Sequence, residues 1–228
     1  MSLAALRELR RLFPNHHLGL MVKPWVADLF EGQELVDETI IIHDKSSTIR
    51  RVIEARAHMQ SFESVVLFQN AFEAALTAWL AGVPNRIGYD THGRQILLNL
   101  QAKSRVKKLN RHQIYNYLDL LYQTGISSHD YLSDSNFQPD IHLRITSRAN
   151  REAEQLLKQF GISSQSTLII VNPGAHFGPA KRWPSERYAA LADRLSKKQA
   201  EIVIIGSTHE TVIAEEIRRL MRYPPKIL

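Results

Sequence analysis

The stretch from Asn172 to Tyr188 reads NPGAHFGPAKRWPSERY and sets two cations, Lys181 and Arg182, directly before a helical pattern. The start of a helix carries partial positive charge, so lysine and arginine are locally unfavourable there. An anion among them would remove the conflict. Gly174 and Gly178 would let backbone amides approach such an anion closely. The N–H groups at the head of the following helix add to the attraction. Both cations can give charge-assisted hydrogen bonds to a diphosphate. Pro184 suits the first helical position, where no N–H is needed. The same composition also suits a solvated loop whose cations reach into water and whose Trp183 packs the helix onto a sheet. The loop has neither GxGxxG nor GxxxxGK followed by Ser or Thr, so the residues alone leave both readings open.

A second loop of small residues, Gly206-Ser207-Thr208-His209-Glu210, follows the next apolar run. Glu210 could accept hydrogen bonds from a ribose or an amine. It equally reads as a first-turn glutamate favoured by the helix dipole. The two loops follow successive strands and should neighbour each other at one sheet edge. In parallel α/β sheets that edge, beyond the carboxyl ends of the strands, is where ligands bind.

The elements that must position these loops alternate almost throughout. Helical spacing runs over Leu3–Phe13, Thr48–Gln60, Ala71–Ala81, His112–Tyr122, Ser147–Phe160, Pro184–Lys197 and His209–Arg222. Apolar runs at His17–Val22, Thr39–Ile42, Ser64–Phe68, Arg86–Tyr89, His142–Ile145, Leu168–Val171 and Ile202–Ile205 read as strands. Ser127–Pro139 reads as a loop, and Gly161–Ser166 as a linker. This is the pattern of an α/β protein with parallel sheets, divided into domains at 1–160 and 161–228. The chain opens in a helix with no strand to feed it. It closes on Pro224-Pro225-Lys226-Ile227-Leu228, where a further strand is due. The second domain therefore reads as two strands, truncated, and the first as lacking its opening strand.

A chain of 228 residues, 44% of them hydrophobic, can bury a core without cross-links. The absence of cysteine removes disulfides, thiolate catalysis and cysteine zinc sites together, and fits a reducing compartment. The net charge of +6 suits an anionic partner, and is also common among soluble proteins. No apolar run approaches the roughly 20 residues of a membrane span, and the N-terminus lacks a signal-peptide layout. The ten histidines show no HExxH spacing, so no metal site is expected. No GxSxG elbow is present either.

NPGAHFGPAKRWPSERYAALADRL closely resembles the donor-side motif of glycosyltransferase family 9, PGAxFGPAKRWPxxxYAxLA, departing mainly at His176. Leu80–Tyr89 is similar to the family's AGIPHRxGxR, Arg94–Asn99 to RxxLLN, His112–Leu118 to HQVxxYL, and Val203–Glu210 to a strand followed by GSxxE. The likeness covers nearly the whole chain. It implies a GT-B-like architecture of two Rossmann-like domains, and inverting, metal-independent transfer of heptose from ADP-heptose to a heptosylated Kdo2–lipid A, with no cofactor. It places Lys181 at the donor phosphates as leaving-group stabiliser, with Arg182 at the phosphates or bracing the loop. His176 and Phe177 line the loop around the phosphates, Glu210 contacts the nucleoside, and Gly174 and Ser207 belong to the same donor-binding set. Arg86, Tyr89 and Arg94 become candidates for acceptor carboxylates or phosphates, the two arginines by their forked geometry, against the alternative of ordinary surface residues beside a turn.

The family's candidate base, an aspartate after its first strand, would precede Met1, and a second donor motif, DSGxxH, would follow Leu228. The 228 residues alone are therefore expected to be inactive. Asp28, Asp44 and Asp90 sit in or near turns and read as caps. Two other classes stay open: a non-catalytic nucleotide-sugar-binding module, and a basic nucleic-acid-binding protein using Lys103, Arg105, Lys107, Lys108 and Arg111. The same basic stripe could face anionic lipid. The resemblance favours the lipid, a cytoplasmic enzyme peripheral to the membrane, and no nucleic acid.

Overall fold

The computed structural model describes residues 1–43, 48–106, 108–163, 165–175 and 179–227, with backbone alone at 48–51 and 179. The chain divides into two compact units, Met1–Thr146 and Ser147–Leu228.

In the first unit, helix α1 (Leu3–Leu12) buries Leu3, Leu6 and Leu9 with Ala4 and Ala5 between them. Strand β1 (Gly19–Val22), the short helix α2 (Pro24–Ala27) and strand β2 (Glu38–Ile41) follow. Then come α3 (Thr48–Met59), β3 (Ser64–Leu67), α4 (Phe72–Leu80), β4 (Asn85–Tyr89), β5 (Leu100–Ala102) and α5 (Ile114–Gln123). β1 pairs with β2, and β3, β4 and β5 pair in that order, all parallel. α1 packs on α5 through Leu6, Leu9, Ile114, Leu118 and Leu121, with Tyr131 closing the cluster. Each such buried leucine contributes about 1.5–3 kcal/mol.

The expected loop at Ser127–Pro139 contains no helix or strand. The expected strand at His142–Ile145 does not form. The buried side-chain amide of Gln33 takes its place. Gln33 Oε1 accepts the Arg144 N–H at 3.0 Å, and Gln33 Nε2 donates to the Arg144 carbonyl at 2.8 Å. A single side chain thus satisfies the backbone groups that a neighbouring strand would have taken. Arg7 adds an ion pair to Asp140 at 3.3 Å and a hydrogen bond to the His142 carbonyl. These ties hold Asp140, His142 and Arg144 to the first unit, which runs to Thr146. β5, which no apolar alternation marks, is the strand that sequence reading misses. It pairs with β4 from Ile87 opposite Leu100.

The second unit opens with α6 (Ser147–Gln159), ended by Gly161 in the left-handed region at φ 65°. β6 (Thr167–Val171), α7 (Ser185–Ser196), β7 (Ala200–Ile204), α8 (Thr211–Leu220) and β8 (Lys226–Ile227) complete it. The sheet has three parallel strands, β6-β7-β8, where two were expected. Lys226 and Ile227 pair with Val203 and Ile204 as soon as the proline pair is passed. A core forms around them: Ala189 and Ala192 of α7 and Ala214 and Ile217 of α8 pack on Ile202 and Ile204.

Candidate functional site

The loops after β6 and β7 leave the sheet at its carboxyl edge, as their succession predicts. After β6 the chain turns at Asn172, whose Oδ1 accepts the Gly174 N–H at 3.3 Å. After β7, Ser207 caps a turn of 3-10 helix, Thr208–Glu210, that runs into α8. Glu210 closes a capping box: its Oε2 accepts the Ser207 N–H and the Ser207 hydroxyl, each at 2.8 Å.

The other carboxylate oxygen of Glu210 lies against the first loop. A Cβ added to Gly174 would stand 1.7 Å from Glu210 Oε1. Glycine is therefore the residue that lets the carboxylate of one loop reach the backbone of the other. Gly174, Ser207 and Glu210 are brought together. Beside them is a hollow of about 190 Å3, lined by Pro173, Gly206, Ser207, Thr208, Glu210 and Ile227 among others. A larger hollow, about 400 Å3, lies at the opposite end of β7 near Ser166, Gln199 and Tyr223. The carboxyl-edge hollow is the candidate, since parallel sheets bind ligands at that edge.

Lys181 ends a turn of 3-10 helix, Pro179–Lys181, and Arg182 follows it; both side chains are exposed. Pro184 is the N-cap of α7, one position earlier than expected, because its extended ψ of 140° keeps it outside the helix. Its carbonyl accepts the N–H groups of Arg187 and Tyr188. Trp183 packs edge-on against Tyr188, one turn into α7, with ring centroids 5.1 Å apart. It anchors the loop to the helix. His176 and Phe177 lie outside the described residues.

The acceptor candidates fare differently. Tyr89 is 2% exposed, and its hydroxyl donates to the Asn116 carbonyl. Burial pushes the phenol well above its ordinary range. Arg94 is fully buried. Its guanidinium donates to the carbonyls of Tyr89 at 2.8 Å and Gln69 at 2.5 Å, and to Asn70 Oδ1 at 3.1 Å. Both belong to the interior and offer no fork to a ligand. Arg94 braces the ends of β3 and β4, and its burial lowers its pKa. Arg86 is half-buried and donates to the carbonyls of Leu97 and Val83 at 2.7 and 2.5 Å. Arg86 and Arg94 spend donors on backbone carbonyls near the ends of β3 and β4 and in the β4–β5 connection, and Tyr89 spends its hydroxyl on α5.

The basic stripe is also broken up. Arg105 bridges Asp119 Oδ1 at 2.5 Å and Asp130 Oδ1 at 2.8 Å. Asp119 is fully buried, a charge tolerated only because it is paired and hydrogen-bonded. Sequence reading passed over this carboxylate. Its signal was an aspartate between Leu118 and Leu120 on a buried helix. Arg111 stacks on Tyr115 at 4.6 Å. Lys103 and Lys108 remain exposed, and Lys107 is outside the described residues. Asp28 opens a 3-10 turn, Asp90 pairs with Lys103 at 3.9 Å, and Asp44 is outside the described residues. Among the described residues no three of His, Asp or Glu converge on one point. No described helix is long and apolar enough to cross a membrane.

Residues 50–228 match the model of glycosyltransferase family 9 (heptosyltransferase). The chain belongs to this family. Family 9 relatives include the Escherichia coli K12 lipopolysaccharide heptosyltransferase 2, 28% identical over 95% of this chain. The solved structure of E. coli ADP-heptose lps heptosyltransferase II matches all of this chain and 67% of its own, with a TM-score of 0.78 and 26% identity. A family 9 glycosyl transferase from Veillonella parvula, 21% identical, shares the fold with a TM-score of 0.80, over 99% of this chain and 64% of its own. The fold class is thus α/β and GT-B-like. The chain spans 62% of the length of the E. coli relative.

Proposed function

We propose that this chain forms the donor-binding loops, and part of the acceptor domain, of an enzyme that transfers heptose from ADP-heptose to the heptosylated Kdo2–lipid A core of lipopolysaccharide. The observation that carries this reading is the contact of Glu210 with Gly174. It joins two carboxyl-edge loops beside a hollow, and the exposed Lys181 and Arg182 follow later in the first of these loops. In this reading the hollow takes the nucleoside, and Ser207 and Glu210 supply its polar contacts. Lys181, with Arg182, meets the diphosphate.

The chemistry is a single displacement with inversion and no metal. The acceptor hydroxyl oxygen attacks the anomeric carbon as the bond to the diphosphate oxygen breaks, through an oxocarbenium-like state. The bonding pair leaves with ADP, and the growing negative charge is met by Lys181 and the N–H groups at the head of α7. The hydroxyl proton passes to a base that we assign to a residue outside these 228. Activity accordingly belongs to a longer polypeptide.

The test is heptosyl transfer from ADP-heptose by the full-length protein and its Lys181→Ala variant. A lost charge-assisted contact should lower transfer by about 10–100-fold and weaken ADP binding. Unchanged kinetics would remove Lys181 from the diphosphate. ADP binding without transfer by the full-length protein would favour a non-catalytic module. Peripheral contact with anionic membrane on the cytoplasmic side belongs to the same proposal. Co-sedimentation with anionic but not neutral vesicles supports it, and a DNA gel shift without co-sedimentation refutes it.

A further inference from the structure

Arg94 is fully buried, yet the partners that take its guanidinium N–H groups carry no charge. They are the Tyr89 and Gln69 carbonyls and Asn70 Oδ1. Gly88 makes room for the guanidinium, since a Cβ added there would stand 3.1 Å from Arg94 Nη2. Carbonyl and amide dipoles solvate such a cation without cancelling it. In the low dielectric of an interior its field reaches the groups around it. Tyr89 ends β4 and Gln69 lies just past β3, so the cation sits under the edge where those strands leave the sheet.

A guanidinium can only donate, so it decides how the Asn70 amide is turned. Oδ1 faces Arg94 at 3.1 Å, and the two N–H groups of Nδ2 therefore face away from it. Among the described residues nothing accepts from Nδ2. Asn70 is half-buried and stands between β3 and the head of α4. β3, β4 and β5 are parallel neighbours, so their carboxyl ends share one edge, and it is at that edge that such sheets bind ligands. Asp90 follows β4, the exposed Lys103 follows β5, and the two pair at 3.9 Å. The edge thus offers polarised N–H donors, a cation and a carboxylate. It suits a ligand with an anionic oxygen beside hydroxyl groups, which is the chemistry of an acidic or phosphorylated sugar.

We propose that the Asn70 side-chain amide binds an anionic oxygen, carboxylate or phosphate, of the sugar acceptor, and that Arg94 is the positioning residue that holds the amide in the orientation this needs. This role rests on the reading of the chain as part of a glycosyltransferase whose acceptor meets the first unit. Arg94 itself touches no ligand. It acts by locking Oδ1 and by lending its charge to the N–H bonds of Nδ2. Aspartate at position 70 would keep the bond to Arg94 and strengthen it to an ion pair. It would also turn an oxygen, in place of two donors, toward the acceptor.

Steady-state heptosyl transfer by the full-length protein tests this, with acceptor and ADP-heptose varied in turn. Asn70→Asp should raise the KM for acceptor at least about tenfold, through a lost donor and an added like charge. The KM for ADP-heptose should stay within about twofold. The urea midpoint should not fall, because the contact with Arg94 is kept. An unchanged acceptor KM in Asn70→Asp overturns the proposal, since Asn70 would then serve Arg94 alone. So does an acceptor KM that rises only together with the KM for ADP-heptose or with a fallen urea midpoint. Arg94→Lys should raise the acceptor KM in the wild-type background and leave it unmoved in Asn70→Ala. Equal rises in the two backgrounds would show that Arg94 does not act through Asn70. If Arg94→Lys does not fold, Asn70→Asp decides alone. An acceptor stripped of its phosphates separates the two anions: a penalty that persists assigns the carboxylate, and one that vanishes assigns the phosphate. No transfer by the wild-type full-length protein would instead refute the glycosyltransferase reading, and this role with it.

Discussion

Glu210 uses its two carboxylate oxygens on different loops. One is bound by Ser207, and the other lies against Gly174. A capping glutamate in the first turn and a glutamate lining the hollow are therefore one residue in one place, and its type and position alone could not separate them. The arrangement makes Gly174→Ala a sharp probe. The added methyl must displace the Glu210 carboxylate, the end of a flexible side chain, so the loss of stability should stay below about 1 kcal/mol while the contact between the loops is broken. Urea denaturation should report that loss, and calorimetric titration should show weaker ADP binding. Full stability with native affinity would show that the loops do not depend on this contact. Arg94 and Tyr89 carry the opposite lesson. A polar side chain near a strand end looks available to ligand in a sequence. Whether it turns inward depends on carbonyls from residues as far off as Gln69 and Asn116.

At the scale of elements, the helices and strands with clear periods form within a residue or two of their expected bounds. Those that fail do so for non-local reasons. The run His142–Ile145 has strand composition, but Gln33, more than a hundred residues earlier, takes its hydrogen bonds. Lys226–Ile227, where a further strand is due, pair with the edge that β7 offers. The loop Ser127–Pro139 is held by Tyr131 in the core and by an ion pair. The hydrogen bond from Arg105 holds the Asp130 carboxyl at about 2, against an ordinary 3.8. A carboxyl depressed in the fold contributes stability that is complete above its unfolded pKa and is lost as pH falls through the folded one. The native urea midpoint should therefore fall between about pH 4 and pH 2, and Asp130→Asn should flatten that fall. Parallel pH profiles for the two proteins would mean that the pair adds no pH-dependent stability.

At the scale of the molecule, two compact units each carry parallel strands, and family 9 membership fits that α/β plan. The loop carrying Lys181 and Arg182 stood out in the sequence because its cations conflict with a helix start unless an anion is near. The acceptor side did not, because arginines beside a turn can serve a ligand or their own backbone, and here they serve the backbone. The central claim concerns the second unit: its carboxyl edge, with Lys181 and the Gly174–Glu210 contact, binds the nucleotide half of a nucleotide sugar. The most direct measurement is titration of the 15N-labelled chain with ADP, followed by NMR. The account predicts saturable shifts at the amides of Gly174, Gly206, Ser207 and Glu210 and around Lys181, with the saturation lost or strongly weakened in Lys181→Ala. Shifts confined to the opposite end of the sheet, around Ser166, Gln199 and Tyr223, or no saturable shifts at all, would contradict it.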